Sequence, residues 1–209
     1  MPRPRVHDLE QALDAVEKLA VADGAAAVTI RALSEATSMS NGALYHAFGS
    51  RAGLLGRAWV RAAQRFLQLQ REAVERSLDG GTHPDGSAPA VEAVVAAALC
   101  PAVFHDQHPT SAQFLLTVSR AELLRSTEVP AEVATELRRL DKALVAIFVQ
   151  LSRSLWDRRD KAAVALVRDC VVSLPTALLL RHNGPADRSA RERLAAAVRA
   201  VLSIPPDNV

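Results

Sequence analysis

Apolar positions recur every three or four residues along almost the whole chain, and no stretch alternates long enough to mark a half-buried strand. The spacing predicts an all-α fold. Val6, Leu9, Leu13, Val16 and Ala20 form one stripe, leaving Asp14, Glu17 and Lys18 largely outside it, and Asp23-Gly24 ends this first helix. Thr29 can cap a short second helix through Ile30, Leu33 and Ala36, and Ser40 can cap a third that carries Leu44, Tyr45 and Phe48. Gly49-Ser50 breaks the third helix, and Ser50 can cap a long fourth one striped by Leu54, Leu55, Ala58, Trp59, Ala62 and Phe66. Three short helices therefore precede a long one. Asp79 to Pro89, DGGTHPDGSAP, is the clearest loop. Further helices are expected near Val91 to Phe104, Thr110 to Arg125, Ala131 to Trp156, Lys161 to His182 and Asp187 to Leu202. Pro101, Pro109, Pro130 and Pro185 fall near their boundaries, and Pro175 should kink its helix.

The net charge of +2 over 209 residues says little about partners, but its distribution says more. From Thr29 to Arg71 stand six arginines (Arg31, Arg51, Arg57, Arg61, Arg65 and Arg71) against one acid, Glu35. A local positive field of this kind attracts polyanions, nucleic acid first among them, while a solvated arginine-rich helix face gives the same composition. Arg57, Arg61 and Arg65 recur every four residues and fit such a wet face, so none of them is assigned individually. Cys100 and Cys170 are far apart, which suggests neither a disulfide framework nor a cysteine zinc site and fits a reducing compartment. The N-terminal stretch lacks an apolar leader core, and the most apolar segment, Ala162 to Leu180, contains Arg168, Asp169 and Pro175. A cytoplasmic protein that does not span a membrane is expected. No nucleophile elbow, zinc-protease helix, phosphate loop or dinucleotide fingerprint occurs, so no enzyme, catalytic residue or cofactor is expected. Cys100, His105 and His108 are metal-binding types close in sequence, but they match no strong motif and no metal is assigned.

The second and third helices are joined by only Thr37-Ser38-Met39, the compactness that a helix-turn-helix requires. The second helix of such a pair fits the major groove, where each base pair shows a distinct donor and acceptor pattern, while the first crosses the phosphate backbone. Leu33, Ala36, Met39, Leu44 and Phe48 are the core candidates. Thr29, Arg31, Ser40, Asn41, Gly42, Ala43, Tyr45, His46 and Arg51 are the DNA-facing candidates, with Thr29, Ser40 and Ser50 serving as caps in either case. Tyr45 can instead pack on the fourth helix, and His46 can be merely solvated.

From Thr29 to Leu55 the chain reads T-I-R-A-L-S-E-A-T-S-M-S-N-G-A-L-Y-H-A-F-G-S-R-A-G-L-L. It resembles the TetR family of bacterial regulators, whose pattern is roughly T-x-R-x-I-A-x-x-A-G-V-S-x-G-x-L-Y-x-H-F-x-S-K-x-x-L. The resemblance is strong over about the first quarter of the chain and rests elsewhere on length and helical character. It implies a DNA-binding domain at residues 1–49 and a larger helical effector-binding and dimerisation domain at 50–209. It also implies phosphate contacts from Thr29, Tyr45 and Arg51, and positions at or near base edges for Arg31, Asn41, Ala43 and His46. The partners it implies are a palindromic double-stranded operator, a second copy of the chain and a small-molecule effector, in a regulator that acts as a repressor. A helical DNA-binding or adaptor protein without an effector is the alternative. Dimerisation would use the segment from Lys161 to His182 with the stripe Leu194, Ala197, Val198, Val201 and Leu202, which intramolecular packing explains as well. Phe104, Phe114, Leu115, Val118 and Trp156 are either effector-pocket lining or plain core.

Three departures matter. Ser38 stands where the family commonly has a turn glycine, so it adopts a left-handed backbone at a cost of about 1 kcal/mol or the turn changes. Ala47 replaces the histidine before the phenylalanine, and Ala43 replaces a polar or small hydrogen-bonding residue. Specificity then leans on Arg31, Asn41 and His46, with methyl contact from Ala43 to thymine. If Arg31 reads a guanine edge, Arg31→Ala should cost about 1–3 kcal/mol of operator binding and relax preference at one base pair. A binding selection that returns an unchanged base preference would overturn that role.

Overall fold

The structure is a computed structural model that describes residues 6–80, 87–180 and 186–207. Among these every regular element is helical. The helices are α1 (Val6–Asp23), α2 (Ile30–Ala36), α3 (Asn41–Phe48), α4 (Arg51–Asp79), α5 (Pro89–Gln107), α6 (Pro109–Thr117), α7 (Arg120–Arg125), α8 (Ala131–Trp156), α9 (Lys161–Arg168), α10 (Leu174–Leu178) and α11 (Arg188–Leu202). The expected stops at His182 and Pro185, and positions 81–86 of the expected loop, lie outside the described residues. The chain forms two compact units, one of residues 1–65 with 108–141, the other of 66–107 with 142–209.

In the first unit Thr29 and Ser40 cap α2 and α3 as their sequence positions predict, their hydroxyls accepting from the backbone N–H groups of Ala32 and Ala43 at 3.1 and 3.3 Å. Gly49, at φ 75°, ends α3 and donates to the Tyr45 carbonyl. Ser50 then accepts from the Gly53 N–H at 2.9 Å while its own hydroxyl donates to the Glu128 carbonyl at 2.7 Å. The core runs through Val16, Leu33, Leu44, Leu54, Phe114, Val133 and Leu137.

Charge is also buried here. Arg61 is 11 % exposed and donates to Glu10, Asp14 and Glu17 at 2.9, 2.7 and 2.6 Å. Glu17, 3 % exposed, accepts from the Ser111 hydroxyl at 2.6 Å through its other oxygen, so α1, α4 and α6 meet at one network. Burial opposes the Arg61 cation, yet hydrogen bonding and charge from Glu17, with Glu10 and Asp14, raise its pKa above the ordinary arginine value. The expectation of a wet face for Arg57, Arg61 and Arg65 is thereby corrected. Arg57 pairs with Glu132 at 3.1 Å and Arg65 lies 3.8 Å from Glu10.

In the second unit α5 runs straight through Pro101, which the sequence placed near a helix boundary. Proline has no N–H for the Ala97 carbonyl four residues back, and the buried Gln70 amide supplies a donor to that oxygen at 3.1 Å. The helix therefore continues because a side chain repairs it. α5 is also the one helix among the described residues long and apolar enough to cross a membrane by composition, and half of that span is buried in the protein, as a core helix would be. The segment expected to kink at Pro175 passes through a π turn at Asp169–Ser173, where the Leu174 N–H donates to the Asp169 carbonyl, and continues directly as α10. Two short helices, α6 and α7, replace the single helix expected from Thr110 to Arg125. Their break lies at Val118 and Ser119, where Ser119 caps α7.

Gly53 and Gly56 let α4 approach the start of α8. A Cβ on Gly53 would clash with the Phe48 carbonyl and lie 3.1 Å from Pro130, and one on Gly56 would lie 2.7 Å from Val133. Gly42 has nothing within 4 Å of such a Cβ. Gly53→Ala should thus lower stability by about 1–3 kcal/mol through overpacking, whereas Gly42→Ala should not lower it at all. Thermal unfolding followed by circular dichroism separates the two; equal melting would contradict the packing described.

Candidate nucleic-acid interface

The turn between α2 and α3 is closed by hydroxyls. Thr37 donates to the Leu33 carbonyl at 2.7 Å and accepts from the Met39 N–H at 3.4 Å, while Ser34 donates to the Met39 carbonyl at 2.9 Å. Asp157 alone among the described non-glycine residues has a positive φ, so Ser38 does not take a left-handed backbone. The turn changes instead, and Ser38 carries no such strain. Leu33, Met39, Leu44 and Phe48 are buried as expected, but Ala36 is exposed, since α2 ends there and turns its last residue outward.

With Leu44 and Phe48 fixed in the core, the opposite face of α3 must point away from it. Asn41, Gly42, Tyr45 and His46 are exposed, Ala43 is half-buried, and Ser40 is exposed at the N-cap. Tyr45 is 56 % exposed, so it does not pack into the core. A single helix face thus presents an amide, a phenol, an imidazole and two very small residues. Its N-terminal turn adds backbone N–H groups and the positive end of a helix dipole.

Thr29, Arg31 and Arg51 lie on neighbouring elements. Arg31, with 86 % of its side chain exposed, donates to Glu35 at 2.9 Å, and hydrogen bonding and charge from Glu35 raise its pKa. Solvent screens an exposed pair one helical turn apart, so a stronger acceptor can displace it. Arg51 is differently placed. It donates to the Val28 carbonyl at 2.7 Å and to that of Ala25, tying the start of α4 to the link before α2. Thus one face of the domain carries α3 outward, with Arg31 reachable beside it and Arg51 partly committed to the fold.

The larger apolar residues considered for an effector pocket resolve toward the core: Phe104, Phe114 and Val118 are buried, Leu115 packs against the first unit's core, and Trp156 is half-buried. Cys100 is buried and donates to the Ala96 carbonyl at 3.2 Å. Among the described residues no group of three His, Cys, Asp or Glu side chains is placed to hold a metal ion. The residues that sequence reasoning missed are Glu17, Arg61 and Ser111. Their only signal is Arg61 on α4, spaced to meet the acidic row of α1.

An all-helical chain with a helix-turn-helix near its N-terminus and an outward third helix defines the class. Residues 12–58 match the model of the bacterial regulatory proteins, tetR family. The match spans α1 from Ala12 onward, the helix-turn-helix and the start of α4. The whole chain shares the fold of solved regulators of low sequence identity. One is the TetR family transcriptional regulator PfmR from Thermus thermophilus, at 19 % identity and TM-score 0.63, covering 92 % of this chain and 97 % of that one. A second is the ketosteroid transcriptional regulator KstR2 of Mycobacterium tuberculosis, at 13 % and 0.59, covering 99 % and 98 %. A third is the transcriptional regulator FadR from Bacillus subtilis, solved in complex with stearoyl-CoA, at 14 % and 0.58, covering 93 % and 95 %. No curated protein matches the sequence.

Because its side chain is exposed, Tyr45→Ala should change stability by no more than about 0.5 kcal/mol. Its effect on DNA binding should be larger, falling on all sequences alike if the phenol meets a phosphate. A loss of stability with unchanged DNA affinity, measured by thermal unfolding and fluorescence anisotropy, would return Tyr45 to a packing role.

Proposed function

We propose that this protein is a ligand-responsive transcriptional regulator that binds a palindromic DNA operator as a homodimer and acts as a repressor in the cytoplasm. The observation that carries this is the exposed face of α3, Asn41, Gly42, Tyr45 and His46, held outward by buried Leu44 and Phe48. In the proposal residues 1–49 read DNA and residues 50–209 bind effector and dimerise. Thr29, Tyr45 and the uncommitted edge of Arg51 contact phosphates, and Ser40 sits at the same end of α3. Arg31, Asn41 and His46 meet base edges, and Gly42 and Ala43 let the helix backbone approach the groove. The exposed apolar side chains Val172 and Leu178, with exposed Ala196 and Ala200 on α11, support a surface for a second copy. Such a two-fold pair requires an operator with matching two-fold symmetry. The family relation of the N-terminal domain, and a bound acyl-CoA in one protein of the same fold, support the regulator and effector parts. An effector acts only through its difference in affinity for DNA-competent and DNA-incompetent states.

Selection from a randomised duplex library at two salt concentrations should return a palindromic motif whose affinity falls as salt rises. Light scattering at micromolar concentration should give twice the monomer mass. Binding without sequence preference would remove the operator, and a monomer on and off DNA would remove the two-fold arrangement.

A further inference from the structure

Within the second unit, the C-terminal half of α4 and the C-terminal half of α5 border an open groove of about 540 Å³. Leu69 and Ala73 from one helix, and Ala96, Leu99 and Val103 from the other, form its apolar part, and Cys100, Glu72, Arg76, Ser77, Gly80 and Gln107 complete the lining. The polar residues are arranged unequally. Glu72 accepts from the Gln68 amide at 2.7 Å, which draws its carboxylate one turn toward the start of α4. Arg76 donates its Nε–H to the Glu72 backbone carbonyl at 3.1 Å, so that end of the guanidinium is fixed while its two Nη groups have no carboxylate partner among the described residues. Two other arginines of this unit are committed to acids by contrast, Arg191 to Asp106 at 2.7 Å and Arg199 to Glu92 at 2.7 Å. A guanidinium fork without a carboxylate partner in the lining of a partly apolar groove is complementary to a carboxylate.

We infer that the α4–α5 groove binds a small amphipathic carboxylate, its head on Arg76 and its aliphatic tail along Leu69, Ala73, Leu99 and Val103. The groove's volume lies within the range of small-ligand sites. Cys100 contributes apolar wall and no chemistry, since burial pushes its thiol up to about 12 against the opposing charge of Arg76. Charge and chain length select the ligand. The binding itself follows from the groove alone; that it tunes DNA affinity rests on the regulator reading above.

Titration calorimetry of the full chain without DNA, with octanoate, octanamide and octylammonium as probes, tests the site. Octanoate should bind at least about tenfold more tightly than octanamide, as a charge-assisted contact predicts, and octylammonium should not bind. Arg76→Gln should abolish the preference for octanoate over octanamide, Arg76→Lys should keep part of it, and Ala73→Leu should weaken both by filling the groove. Equal affinity for octanoate and octanamide, an unchanged preference in Arg76→Gln, or no binding of octanoate would overturn the proposal. Anisotropy on the selected operator, with and without octanoate, then separates the two ideas: octanoate bound with no operator found sinks the regulator reading alone, and an operator found with no octanoate binding sinks the groove alone.

Discussion

The arrangement of the first unit depends on one buried cation. Arg61 sits where α1, α4 and α6 converge, and Glu17 faces it with one oxygen while the other takes the Ser111 hydroxyl. Glu17 is not tolerable there without Arg61, since a buried carboxylate that loses its cation is left desolvated at a typical cost of about 3–5 kcal/mol, whereas Arg61 keeps Glu10 and Asp14 if Glu17 is lost. This makes the register of the three helices specific in a way apolar contact cannot. A one-turn slip of α1 along α4 would preserve greasy contacts but would carry Glu17 about 5.4 Å from its guanidinium. Through that register α4 is fixed, and through Ser50, Arg51 and Gly53 the start of α4 in turn fixes the end of α3.

The same network revises the electrostatics. Composition concentrates positive charge between Thr29 and Arg71, but the structure distributes it inward and sideways. Arg61 answers three acids of α1, Arg57 answers Glu132 and Arg65 lies near Glu10. Counting charges along a sequence cannot see this, because the neutralising acids lie about fifty to seventy-five positions away. Much of the apparent polyanion signal is therefore internal cement.

What was legible follows a physical rule. Caps, apolar stripes and glycine stops act within four residues, and Thr29, Ser40 and Gly49 stand where their local chemistry places them. The exposed face of α3 was legible too, because burying Leu44 and Phe48 leaves the other side no choice. What failed depended on distant partners or on compensation. Pro101 reads as a stop until Gln70, thirty-one positions earlier, is seen to satisfy the orphaned Ala97 carbonyl. Ser38 reads as strained until Thr37 and Ser34 are seen to close the turn differently. Ala36 fits the apolar period yet is exposed, since a seven-residue helix ends before its last position can be covered. The break at Val118 and Ser119 carries no glycine or proline and is marked only by a capping serine.

These corrections bear on how the candidate interface can work. With Arg61 buried among acids and Arg57 paired with Glu132, fewer arginines of α4 are left among the described residues to hold a duplex by charge alone, and sequence-independent affinity grows with the number of phosphates neutralised. Arg31 is the exception that geometry permits: its bond to Glu35 is exposed and screened by solvent, so exchanging that carboxylate for a base edge or phosphate forfeits little. Arg51 is the opposite case, because its bonds to Val28 and Ala25 position α4, and releasing them would loosen the frame that aims α3. Under the proposed reading, recognition by one copy relies on the close approach that Gly42 and Ala43 allow and on short polar contacts from Asn41, Tyr45 and His46. In that reading a surface so sparing of charge gains affinity chiefly by doubling itself, and the exposed apolar side chains Val172 and Leu178 of the second unit are what a second copy would cover.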